Sequence, residues 1–312
     1  MARRVAIFGY GAVGRDVANR LAARGDEVRV VQRTAPQGLL PGVAFVAGDA
    51  SDPTVAIAAC ANVDTAVCAV GVKYDATVWE DLWPRIVANL LDGCQRSGAR
   101  FVFADNLYLY GPQTAALTEE MPLTVHGRKP RVRAAVTRQW QEAHRSGRVR
   151  AVAVRASDFY GPLVGTSVLS TYGVARLLAG KAALAPYPAD FPHDFTYVPD
   201  FARALVSLID APDDAYGQAW HVPNAPTRTL RELFQLAAAI IGVPPRVTVM
   251  PRLLEPIVAL FVREVGELAE MRFQWDRPYR VDAHKFAGRF WNDPTPFEAG
   301  LSATVAAFRQ AN

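Results

Sequence analysis

Apolar residues along the chain fall into short continuous runs, separated by stretches where they recur every three or four positions. Residues 5–8 form one such run, as expected for a strand buried on both faces of a parallel sheet. Helical spacing follows through Val13, Val17 and Leu21 to residue 23, and Gly25 closes it. Further strands are predicted at 28–31, 44–46, 65–70 and 100–103. A long amphipathic helix over 78–96, ending before Gly98, separates the last two, and a helix over 133–145 leads into a strand at 149–154. Such alternation predicts an α/β fold, a doubly wound parallel Rossmann sheet with right-handed crossovers.

Beyond Ser157 the pattern loosens, and Gly161-Pro162, Pro186, Pro188, Pro192 and Pro199 break it repeatedly. Strands are expected at 195–198 and 219–222 and helices at 202–208, 230–241 and 296–309. The apolar stretch 253–262, interrupted by Glu255 and Pro256, reads as a helix packed inside the protein. The chain is therefore expected to be a single two-lobed unit. Residues 1–160 would be mainly a dinucleotide-binding core. Residues 161–312 would be mainly a smaller substrate lobe, with the last sheet strands interleaved.

Composition removes several classes. A chain of 312 residues can bury a full core without disulfide or metal staples. Its three cysteines (Cys60, Cys68, Cys94) form no CxxC pair, which argues against a zinc site and fits a reducing cytoplasm. No run reaches the roughly 18 apolar residues of a membrane span. The net charge of +4 is mild. Residues 128–150 hold eight Lys/Arg against the single acid Glu142, but only Trp140 among them could stack on a base, so no nucleic-acid role is expected. His126, His144, His193, His221 and His284 show no metal-ligand spacing, although His126 and His193 fall in expected loops. No metal is expected.

Gly9-Tyr10-Gly11-Ala12-Val13-Gly14 is a GxGxxG placed directly between a predicted strand and a predicted helix. The first glycine permits the tight turn and the second lets a pyrophosphate approach the backbone. The third allows close helix–strand packing, while the helix N-terminus offers free N–H groups to the anion. About 20 residues on, where an NAD site offers a carboxylate to the ribose, this chain has Gln32 and Arg33. An arginine there suits a 2′-phosphate, and Arg15 can assist, so NADP(H) is the expected cofactor.

Several segments, in order, resemble the extended short-chain dehydrogenase/reductase proteins. Gly48-Asp49-Ala50-Ser51-Asp52 is similar to their adenine-holding segment, and Cys68-Ala69-Val70-Gly71 to their fourth-strand turn beside the cofactor. The stretch from Phe101 through Ala104-Asp105-Asn106 to Tyr110-Gly111 resembles their fifth strand and active-site serine segment. Arg155-Ala156-Ser157-Asp158 through Gly161-Pro162 resembles their sixth-strand motif. Residues 195–204 and Gly300-Leu301 match later landmarks. The resemblance implies cofactor contacts at Gly9, Gly11, Ala12, Val13, Gly14, Gln32, Arg33, Asp49, Ala50, Ala69, Val70, Gly71 and Lys129. It also implies a possible homodimer through the helices near 78–96 and 133–145.

At the catalytic positions the chain departs from that family. Asn106 falls where the family has Ser or Thr, and Lys129 and Arg133 fall on its YxxxK pair. Trp83 falls near its helical asparagine. Some atypical reductases, such as isoflavone-reductase-like enzymes, use a lysine as the acid–base group. By that resemblance Lys129 would protonate substrate, beside Arg128, Arg131 and Arg133, while Asn106 polarises a carbonyl as a neutral donor. Tyr108 is a further candidate for proton transfer. The aromatic residues Trp79, Trp83, Tyr108, Phe159, Tyr160, Tyr172, Tyr187, Phe191 and Phe195 suggest an apolar pocket. The expected function is thus NADPH-dependent reduction of a small, largely apolar carbonyl or conjugated alkene. The alternatives are a non-catalytic NADP-binding sensor or scaffold, and a sugar-nucleotide epimerase or dehydratase.

Overall fold

In the computed structural model, β1 (Arg4–Phe8) lies inside a seven-stranded sheet, third from one edge, and its last four residues have no exposed surface. The structure describes residues 2–250 and 263–311, so the helix expected over 253–262 lies outside the described residues. β1 pairs in parallel with β2 (Glu27–Gln32) on one side and with β4 (Thr65–Cys68) on the other. β3 (Val43–Ala47) extends the first side, and β5 (Arg100–Asn106) and β6 (Ala151–Ala156) extend the second. The chain therefore winds outward from β1 in one direction and then from β4 in the other. That reversal creates the topological switch point where α/β sheets bind ligands, beyond the carboxyl ends of β1 and β4.

The helices of this unit form where local signals agree. α1 (Ala12–Ala23) opens directly on the glycine turn. α2 (Pro53–Cys60) was not anticipated from periodicity, because its eight residues are almost uniformly apolar. Its signal is Asp52-Pro53: Asp52 accepts the Thr54 N–H at 2.8 Å as N-cap, and proline occupies the first turn. α3 (Ala76–Ser97) is capped by Asp75 and stops at Gly98, which takes φ +75°. It crosses α2 closely at Gly93, where a Cβ would stand 2.9 Å from the Ala56 carbonyl oxygen. α4 (Arg128–Arg145) begins five residues before the expected start and carries Pro130 in its first turn, where no N–H is missed.

Two compact units divide the described chain. The first comprises residues 1–109, 123–155 and 201–220, and the second comprises 110–122, 156–200 and 221–312. In the second unit, β7 (Asp158–Tyr160) is followed by a π-helical turn (Val168–Val174) and the short α5 (Ala175–Leu178). β8 (Ala183–Ala185), β9 (Pro192–His193) and β10 (Phe195–Tyr197) come next. α6 (Val198–Asp210) leads to β11 (Ala219–His221), which joins the large sheet beside β6. β12 (Arg228–Thr229) and β13 (Val247–Val249) complete two-stranded pairs with β9 and β8. α7 (Leu230–Ile241), opened by a Thr229/Glu232 capping box, packs with Tyr160, Leu169, Phe195 and Trp275. α8 (Arg263–Ala269), α9 (His284–Ala287) and α10 (Phe297–Ala311) close the chain.

Two sequence expectations change here. The strand expected over 65–70 ends at Cys68, after which Ala69 N–H bonds the Phe8 carbonyl and the chain turns. His193, expected in a loop, is buried in β9. Its ring stacks on Trp275 at 4.1 Å and its Nε2 is 2.8 Å from Asp158 Oδ2. The cysteines are buried and free, and burial pushes the Cys68 thiol up to about 12. Among the described residues no helix is long and apolar enough to cross a membrane.

Candidate functional site

At the switch point the three glycines answer to three different constraints. Gly9 takes φ +98°, and a Cβ there would lie 2.5 Å from the Ala69 carbonyl oxygen, so the turn after β1 is wedged against the turn after β4. Gly14 is packed so tightly that a Cβ would come within 2.0 Å of the Gly9 oxygen. Gly11, in contrast, is exposed, and a Cβ there would meet nothing within 4 Å. The space above Gly11 is therefore open to an incoming group. Gly11 is also the N-cap of α1 and provides no side-chain cap, leaving the first-turn N–H groups, including those of Ala12 and Val13, for an anion. The turn therefore fits a dinucleotide pyrophosphate. Gly14→Ala is expected to abolish binding of a reduced nicotinamide dinucleotide in a fluorescence titration, because the turn cannot close over the added methyl group.

The end of β2 presents an amide and a guanidinium, Gln32 and Arg33, and no carboxylate. Gln32 is committed at both ends: its Oε1 accepts the Tyr10 N–H at 3.2 Å and its Nε2 donates to the Thr34 carbonyl at 2.7 Å. Arg33 beside it is exposed. Arg15 lies with its guanidinium 5.2 Å from the Tyr10 ring and donates to the Gln37 carbonyl. Across from these, Asp49 accepts the Ser51 N–H at 2.8 Å. That bond, opposed by partial burial and aided by Arg33 and Arg85, holds its carboxyl below the usual range. Ala50 is buried, Ala69 and Val70 are half-buried and Gly71 is exposed beyond β4.

The four catalytic candidates gather around the carboxyl end of β5, with unequal access. Lys129 and Arg133 stand one helical turn apart on the buried face of α4, at 0% and 1% exposure. Asn106 and Tyr108 are half-buried and retain surface. The Asn106 Oδ1 accepts the Tyr108 N–H at 3.1 Å, which fixes the amide and leaves its Nδ2 as the donating end. Tyr108 stacks on Trp79 at 6.2 Å, Trp79 meets Tyr74 edge-on at 5.6 Å, and the Lys129 ammonium sits 4.9 Å from the Tyr74 ring. The expected cationic surroundings of Lys129 are only partly present. Arg128 turns outward to Glu80 and Thr77, and Arg131 to the Gly127 carbonyl, leaving Arg133 as the buried one.

Arg133 is held through one edge of its guanidinium and by aromatic rings. Its Nε lies 3.1 Å from Asp105 Oδ1, its Nη2 bonds the same oxygen, and its guanidinium rests 4.3 Å from Trp83 and 4.7 Å from Phe103. Asp105 also accepts from Arg155 Nε at 3.2 Å and from the Asn106 backbone N–H at 2.8 Å. The carboxylate is wholly enclosed and both arginine side chains are 2% exposed. This cluster ties β5, α4 and β6 together directly behind Asn106. Sequence reasoning missed Asp105 and Arg155 as site residues. The signal was a carboxylate and an arginine at the ends of otherwise apolar strands, positions that burial permits only to paired charges.

Comparison with known proteins agrees with this fold. A dTDP-6-deoxy-L-talose 4-dehydrogenase (NAD(P)(+)) from Kitasatospora kifunensis is 29% identical over 266 residues, covering 80% of this chain and 82% of that one. The solved dTDP-glucose 4,6-dehydratase DesIV from Streptomyces venezuelae, with NAD and TYD bound, superposes with a TM-score of 0.82 at 20% identity, covering 98% and 97% of the two chains. The UDP-glucuronic acid 4-epimerase from Bacillus cereus, in complex with UDP-glucuronic acid and NAD, gives 0.83 at 14% identity, covering 99% and 100%. The sequence profile of the NAD dependent epimerase/dehydratase family matches residues 5–222, more than two thirds of the chain. With that match, the glycine turn and the sheet order in agreement, the chain belongs to the NAD dependent epimerase/dehydratase family.

Proposed function

We propose that the protein is an NADP(H)-preferring oxidoreductase that interconverts a hydroxyl and a carbonyl group on a nucleotide-linked sugar. When bound, the dinucleotide gives or takes the hydride. In the reducing direction the Asn106 Nδ2 donates a hydrogen bond to the carbonyl oxygen, and the Tyr108 phenol passes its proton to that oxygen as the new C–H bond forms. In the oxidising direction the phenolate takes the hydroxyl proton back. Asp105, Arg133 and Lys129 hold this pair from behind without touching substrate. The observation that carries the reading is access: of the four candidates only Asn106 and Tyr108 keep exposed surface, and a hydrogen bond joins them.

The nucleotide-sugar class is favoured over the small apolar carbonyl expected from sequence for two reasons. The relatives' names point to such substrates. Of the nine aromatic residues that suggested an apolar pocket, five (Trp79, Trp83, Tyr160, Tyr187 and Phe195) are taken up by core packing, while Tyr172 and Phe191 are exposed. Preference for NADP(H) rests on Gln32 and Arg33, although the two solved relatives described above carry NAD. Arg33→Ala is expected to weaken NADPH binding about tenfold, the worth of one charge-assisted pair with phosphate, and to leave NADH binding unchanged. Equal loss for both cofactors in parallel titrations would refute the assignment. A second reading gives proton transfer to Lys129, which occupies the family's tyrosine register in the first turn of α4. It predicts that Lys129→Met, rather than Tyr108→Phe, removes turnover.

A further inference from the structure

The first unit holds a basic cavity at the amino ends of its strands, opposite the glycine turn. Its volume is about 610 Å³. Arg3 and Arg4 line it from the start of β1, Arg96 from the last turn of α3, Arg100 from the start of β5 and Arg150 from the residue before β6. Asp64 is the one carboxylate among the lining residues. Gly9 lies five residues beyond Arg4 along β1, about 16 Å away at strand rise, so this is not the dinucleotide turn.

The arginines are tethered but not neutralised. Arg3 and Arg4 reach Asp210 and Asp64 at 3.0 Å, and Arg96 reaches Asp92 at 2.9 Å, each through a single nitrogen. Arg100 and Arg150 share one carboxylate, Asp213, at 2.7 and 3.2 Å. Asp210 is itself shared with Arg24. Five guanidinium groups thus meet four carboxylates, one of them divided with a sixth arginine. A guanidinium has five N–H donors, and these carboxylates use one or two of each, although Arg100 also donates to the Ala211 carbonyl at 2.9 Å. α2 and α3 also end at the cavity, and their terminal carbonyls would repel an anion. Some of the carbonyls at these ends are already bound: Arg29 Nη1 binds the Ala59 and Ala61 oxygens, and Arg150 Nη2 binds that of Gly98. The forked donors of several arginines around one concavity match phosphate oxygens better than any neutral ligand.

We propose that this cavity binds a phosphorylated small molecule, at a second anion site separate from the dinucleotide turn. The test is calorimetric titration of the full chain, saturated with NADPH at low ionic strength, with pyrophosphate and in parallel with ADP. One saturable site per chain is expected, with affinity falling at least tenfold in the Arg96→Ala/Arg150→Ala double variant. Both side chains are largely exposed, so their removal leaves the fold and the NADPH affinity unchanged. Tighter binding of ADP would identify a nucleotide ligand, and equal binding a phosphoanhydride recognised alone. Binding that disappears once NADPH is present, binding equal in the double variant, or no saturable heat would each overturn the proposal.

Discussion

Tyr108→Phe is expected to lower turnover by about 10²–10⁴-fold, the usual contribution of a positioned acid–base group. NADPH affinity should not change, because the phenol hydroxyl is absent from the glycine turn and from the 2′-phosphate region. The ring remains stacked on Trp79, and the Tyr108 backbone N–H still bonds Asn106, so the variant alters chemistry without altering the local fold. Steady-state kinetics beside a fluorescence titration of NADPH separate these two readouts. Lys129→Met in the same assay is expected to lose far less turnover, because Lys129 has no exposed surface. The opposite order of effects would transfer the proton to Lys129.

Asp105→Ala is expected to destabilise the protein by about 3–5 kcal/mol, because it leaves two enclosed guanidinium groups without their shared carboxylate. The loss should appear as a lower urea midpoint. Turnover should fall as well, since the Asn106 backbone N–H loses its acceptor at the point where β5 ends. Combining Asp105→Leu with Arg133→Met should recover part of the stability, as apolar replacements of a buried ion pair commonly do, but not the turnover. Stability unaffected by Asp105→Ala would mean that the cluster is not what ties β5, α4 and β6 together.

Much of the first unit could be read from the sequence because it is built from regular signals. The buried runs of β1, β2 and β6, the Gly98 stop of α3 and the glycine turn all follow rules of local chemistry. α4 was under-read by a turn because Arg128, Lys129 and Arg131 crowd its N-terminus, where the helix dipole favours acids, and Pro130 resembles a break. Tertiary contacts offset that local disadvantage: Arg128 is held by Glu80, and Arg133 by Asp105. The candidate site was readable as a set of residues but not as a hierarchy. Nothing in the spacing of Asn106, Tyr108, Lys129 and Arg133 says which are enclosed. Nor could it show that Asp105 would join two arginines distant in sequence. His193 was unreadable for the same reason, since its surroundings come from Trp275, Tyr279 and Asp158.

The central claim is that a pyridine dinucleotide and the Asn106–Tyr108 pair together reduce a carbonyl on a nucleotide-linked sugar. Its most direct test is the absorbance of NADPH mixed with the protein and a panel of keto-sugar nucleotides, for the natural chain and for Tyr108→Phe. The account predicts that the natural chain oxidises NADPH in step with loss of the ketone, and that Tyr108→Phe binds NADPH but consumes almost none. NADPH that binds yet is never oxidised by any member of the panel would contradict it.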